Sequence, residues 1–195
     1  MKFKLYMSLA AALGVTALAA CGGGEDSSEE ASAEPCGEVQ QVKVPLAGQH
    51  ADKKFTVDDY STNPPAGGDH NPDALDTGTF YSQPVDLGMA VHALEHGAVI
   101  GWTNDLSKQE TKQLEDAFNK LYSSGYESLA TVELPELDVP FALSAWGAVQ
   151  KCEQFDASAI KPFVDRYYGT QKSSEGFLAC LGRATKLPAC ADNKR

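Results

Sequence analysis

Two stretches repeat apolar positions at helical spacing, and three others run apolar without a break. Ser107-Lys108-Gln109-Glu110 has the form of a capping box, in which each side chain bonds the other residue's backbone N–H. The helix it opens is predicted to run to about Ser123, with Leu114, Phe118 and Leu121-Tyr122 on one face and Gly125 as its stop. Asp156 is predicted to cap a second helix, Ala157–Tyr168, which turns Ile160, Phe163, Val164 and Tyr167 inward and ends at Gly169. Ala98–Trp102, Leu129–Leu134 and Phe141–Trp146 are short apolar runs and read as buried strands. Val39–Pro45 alternates weakly and reads as a first strand. Strands and helices in this order imply an α+β domain, a small sheet with two main helices packed on one face.

The rest of the pattern is broken. Tyr60–Pro72 holds three prolines and two glycines, which excludes a helix or a central strand. The prolines restrict the unfolded ensemble and so argue for an ordered loop. Asp73–Pro84 reads as further loop anchored by Phe80 and Tyr81, and Pro135–Pro140 as a turn. The tail from Thr170 is polar apart from Phe177–Leu181, and is expected to be clasped by a disulfide and to carry no chemistry.

Lys2 and Lys4 precede an apolar run, Leu5–Ala20, too short to span a bilayer comfortably and laid out like a secretory signal. It ends Leu18-Ala19-Ala20-Cys21, the form of a bacterial lipobox. The expectation is a lipoprotein signal peptide over 1–20, acylation of Cys21 with palmitate-type chains, and anchoring on the extracytoplasmic side of a membrane. Inner and outer membrane both remain open. Residues 21–35 are glycine, serine and acid, a flexible tether, and 36–195 form one domain. The formal charge is -11, and losing Lys2 and Lys4 takes it to about -13. So acidic a chain excludes nucleic acid as a partner, because phosphate backbones need clustered Lys and Arg.

Five cysteines less Cys21 leave Cys36, Cys152, Cys180 and Cys190. An even number in an exported chain points to two disulfides. Of the three pairings, Cys180–Cys190 closing a tail loop and Cys36–Cys152 tying the domain's start to its later half are favoured. The close cysteine pairs of a zinc site or a redox motif are absent.

Asn63-Pro64-Pro65-Ala66-Gly67-Gly68-Asp69-His70, Val91–Trp102, and Phe141–Gly147 followed by Phe155-Asp156 resemble, in order, the bacterial family known as domain of unknown function 3105. The likeness spans roughly 46–168, and the 170–195 tail looks like an addition. The family pattern has Thr-Ser where this chain has Ala66-Gly67. The resemblance implies an exported, membrane-tethered domain and supplies no activity. It also directs attention to His50, His70, His92 and His96, where members tend to carry histidines.

These four are the chain's whole complement of histidine. If 90–96 is helical, His92 and His96 share a face, and Gly97 ends the turn. Two neutral imidazoles, His70 as a third and His50 or Met89 as completion make a transition-metal site. Imidazoles suit copper, zinc or nickel, and a thioether tilts the choice towards Cu(I). Copper is therefore the expected ion and zinc the second choice. Glu95 is a ligand, an acid orienting the ligands, or a solvated helix residue. His92–His96 also reads H-x-x-E-H, the inverted zincin motif, which needs one long helix that Gly97 interrupts. No G-x-S-x-G, P-loop or dinucleotide fingerprint is present, so the chain reads as a binding protein rather than an enzyme. The competing expectation is an envelope binding or assembly module, with a protein partner, in which the histidines only brace the loop.

Overall fold

The computed structural model describes residues 34–169, 173–180 and 190. The expected signal peptide, Cys21 and nearly all of the expected tether lie outside the described residues.

The domain is built on a six-stranded mixed sheet, β1 (Gln40–Gln41), β2 (Thr79–Tyr81), β3 (Val99–Thr103), β4 (Leu129–Glu133), β5 (Phe141–Ala145) and β6 (Ala148–Cys152). Its spatial order is β1-β6-β5-β3-β4-β2. β4 pairs parallel with β2 and β3, and the β3–β5, β5–β6 and β6–β1 pairs are antiparallel. The α+β class stands. Two strands are additions to the expected set: β2 lies in what reads as loop, and β6 follows β5 through a tight turn at Gly147.

Each central strand is buried on both faces, and alternate residues enter two separate cores. On one face Val99, Leu129, Phe141 and Leu143 pack against α2 (Lys108–Ser123) and α3 (Ile160–Tyr167). These are the two expected helices. The Ser107/Glu110 capping box is formed on both sides, and Asp156 accepts from Ser158 N–H at the start of the second helix. On the other face Ile100, Trp102, Ala130 and Ala142 pack against a third helix, α1 (Leu87–Glu95).

α1 is longer than the turn expected at 90–96. Asp86 caps it, accepting from Gly88 N–H. Every residue except Met89 is buried. A helix enclosed all round has no solvent face. Ala90, Val91 and Leu94 fill the sheet side, so His92 and Glu95 must meet whatever covers the other side. The long loops are that cover. Pro64, Pro65, Ala66 and Gly67 are themselves buried, and Trp146 donates its indole N–H to Pro45 O at 2.9 Å. Trp102 and Trp146 are fully buried core residues, as expected of aromatics at their positions.

Both disulfides follow the favoured pairing, Cys36–Cys152 and Cys180–Cys190. Cys36 faces Cys152 across an antiparallel bridge at the sheet edge. Among the described residues no helix is long and apolar enough to cross a membrane.

Candidate metal centre

Two segments converge over the C-terminal half of α1. The stretch around His50 and the stretch around His70 run parallel and are zipped by Ala51 N–H to His70 O (2.8 Å) and His70 N–H to Gln49 O (3.0 Å). Gly48 supplies the third tie, donating its backbone N–H to Glu95 Oε1 at 2.8 Å. The result is a triangle of rings, His50, His70 and His92, with His96 set against His92. His50 and His92 centroids lie 4.8 Å apart, His70 and His92 4.6 Å, and His92 and His96 4.5 Å. His50, His70, His92 and Glu95 each offer a donor atom within 4.8 Å of all the others. Donors on one ion at roughly 2.0–2.2 Å span about 4 Å, so small side-chain rotations complete the shell.

The interior of this cluster is buried. His70 is 0 % exposed, Glu95 3 % and His92 6 %, while His50 lies at the solvent edge. His70 Nδ1 lies 2.9 Å from Gly68 O. A carbonyl only accepts, so Nδ1 carries the hydrogen, and in the neutral ring Nε2 then carries a lone pair. That nitrogen lies 3.2 Å from Glu95 Oε2, a second acceptor. The distance is that of an ion pair, yet His70 Nε2 makes no hydrogen bond. Two buried acceptors face each other, and buried charge needs a partner. A proton or a cation belongs between them.

His92 completes the inner group. Its Nε2 lies 3.1 Å from His96 Nε2, and its buried Nδ1 makes no hydrogen bond. Burial holds its pKa below the ordinary 6.5, and the neighbouring rings of His96, His70 and His50 push it the same way, against a weak pull from the Asn71 backbone. His92 is therefore neutral at pH 7, the form that binds metal. The shift carries a stability signature. Between the lowered value and 6.5 the unfolded chain binds a proton that folded His92 refuses. Stability of the metal-free protein therefore falls as pH drops through that window and levels off below it. Denaturation midpoints taken from about pH 8 to about pH 5 should show this slope, and a His92→Gln variant should flatten it. An unchanged slope in the variant overturns the neutral ring.

Four of the expected site residues, His50, His70, His92 and Glu95, are thus brought together. His96 stands beside them as the C-cap of α1 with its side chain 34 % exposed. The helix stops at Glu95, so His92 and His96 do not share the unbroken helix that an inverted zincin motif requires. Met89 is partly buried and packs against the apolar cluster below α1.

The tail packs against the site. It was read as carrying no chemistry, but it finishes the end of α1. The last carbonyls of a helix lack intrahelical partners. Here Ser173 Oγ donates to Glu95 O (2.6 Å), Ala179 N–H to His96 O (3.1 Å) and Gly169 N–H to Gly97 O (2.8 Å). Gly97 makes the approach possible. Its φ is +92°, and a Cβ there would lie 2.1 Å from Gly176 O. Glu175 Oε2 is thereby held 2.9 Å from His96 Nε2. Sequence reasoning missed Gly48, Ser173 and Glu175, because each acts across a long stretch of chain and none stands in a motif.

Neither a curated protein nor a solved structure matches the chain. The family model described as "Protein of unknown function (DUF3105)" matches residues 42–182. The match takes in all four histidines, Glu95 and Glu175, and extends past the 46–168 stretch on which the resemblance rested, so the first part of the tail is family sequence. With well over half of its length covered, the chain belongs to the domain of unknown function 3105 family.

Proposed function

We propose that this protein is a lipid-anchored, extracytoplasmic domain that binds a transition metal, copper first and zinc second, through His50, His70, His92 and Glu95. One observation carries the reading. His70 Nε2 lies 3.2 Å from the Glu95 carboxylate without a hydrogen bond between them, inside a buried cluster. A cation relieves that opposition and satisfies both groups. Three imidazoles and one carboxylate are borderline-to-hard donors, which favours Cu(II) or Zn(II) over the Cu(I) that a Met89 thioether would attract. The wall is buried at His70 and Glu95 and open at His50. An ion there can exchange with solvent or a partner, which suits handling, sensing or delivery better than a sealed structural role. The anchor rests on the lipobox ending at Cys21.

The test uses the purified full chain. Its intact mass should show loss of residues 1–20 and acyl chains on Cys21. Elemental analysis and titration with Cu(I), Cu(II) and Zn(II) should show stoichiometric binding that a His70→Ala/His92→Ala variant loses. Binding no tighter than that of any acidic surface, with the fold intact, overturns the metal reading. The His50–His70 ladder would then be a brace for the Pro-rich loop, and a protein partner in the envelope would be the next search.

A further inference from the structure

Resting on that metal reading, the geometry points to a second ion position beside the first, formed by Glu95, His96 and Glu175, with Glu95 shared between the two. We infer a two-ion centre bridged by one carboxylate.

The donor atoms of these three residues also lie within 4.8 Å of one another. Glu95 belongs to both groups: its Oε2 lies 3.2 Å from His70 Nε2, and its carboxylate is also within reach of His96 and Glu175. The hydrogen count around His96 supports a cation on this side too. His96 Nε2 lies 2.9 Å from Glu175 Oε2 and 3.1 Å from His92 Nε2. A ring nitrogen carries at most one hydrogen. Given to Glu175, it leaves the Nε2 lone pair of a His92 protonated at Nδ1 without a donor from His96. An ion held by His96 and Glu175 replaces that single hydrogen and frees the lone pair of His92 for the inner ion.

Glu175 is also a placed residue, although its side chain is 49 % exposed. Its backbone N–H donates to Ser173 Oγ (3.1 Å), the same hydroxyl that binds Glu95 O. The segment is sewn to the end of α1 on either side of it, at Ser173 and at Ala179. The inner position is mostly buried and rich in imidazole, and the outer is half open and rich in carboxylate. Carboxylate-bridged pairs of this kind hold two ions a few ångströms apart.

The experiment is equilibrium dialysis of the full chain against Cu(II) alone, and separately Zn(II) alone, followed by elemental analysis. A Glu175→Gln variant, a conservative change at a half-exposed position, runs beside it. The parent should take up two ions per chain and the variant one. In the copper form the parent should show a spin-coupled, weakened electron paramagnetic signal, and the variant the full signal of one isolated ion. Two ions in both proteins with equal affinity overturn the assignment of Glu175. One ion in the parent overturns the second position and leaves the inner site standing. No ion in the parent overturns both.

Discussion

Replacing Glu95 with glutamine is expected to stabilise the metal-free protein while removing most of its metal affinity. Glutamine keeps the length of the side chain and one oxygen, which still accepts from Gly48 N–H. Its amide NH2 takes the place of the oxygen that faces His70 Nε2 at 3.2 Å. A contact between two acceptors becomes a donor meeting a lone pair. The net gain for such a hydrogen bond is ~1 kcal/mol, enlarged here because an unsatisfied buried group is relieved. The cost to metal binding runs the other way. Losing a group that merely orients a ligand lowers affinity roughly 10–100-fold, and losing a charged ligand lowers it further. Denaturation with and without Cu(II) reads both effects together. Saturating metal at about 100 times Kd adds ~2.7 kcal/mol to the parent, so the order of stabilities should cross on adding metal. A metal-free Glu95→Gln protein that is less stable than the parent would identify His70 and Glu95 as a proton-held ion pair. The cluster would then be a brace.

Gly48→Ala should damage the same site from the backbone side. A Cβ at Gly48 would lie 2.1 Å from Gly68 O and 2.5 Å from His70 Nδ1. Neither neighbour can yield without loss. Gly68 O accepts from His70 and sets its tautomer, and His70 is enclosed by Trp146, whose ring stands edge-on with centroids 6.1 Å apart. The alanine therefore drives the two loops apart, breaks the Gly48–Glu95 bond and turns His70 away from the cluster. Forcing extra volume into a packed interior costs ~1–3 kcal/mol. Chemical denaturation should show a loss in that range, and Cu(II) titration should show the site weakened even where the fold survives. An alanine variant with parental stability and affinity would mean that the loops are free to part, and that the close approach at Gly48 is unimportant.

Legibility of the fold followed the range of the interaction that makes each element. α2 was readable end to end, because its capping box and its apolar face are both local. The stops at Gly97, Gly125 and Gly169 were readable for the same reason, and all three adopt positive φ. β2 was not readable. It is three residues long, sits among glycine and proline, and is a strand only because β4 lies beside it. β6 was missed because Ala-Val-Gln-Lys-Cys is half polar, its register being set by the turn at Gly147.

The site divides the same way. Four histidines between positions 50 and 96, two of them four apart beside a glutamate, made an imidazole cluster legible from sequence. The sequence by itself determined both long helices, the central strands and the pool of donor groups. Those depend on periodicity, caps and residue chemistry, which act over a few neighbours. Only the tertiary structure decided which donors meet. It turned Glu95 inward against Gly48, and it set His70 Nε2 beside a carboxylate. It also brought Glu175 up to His96 from a tail expected to be inert. Each of those contacts joins residues far apart in the chain, where burial and the need to satisfy the end of one helix outweigh any local signal.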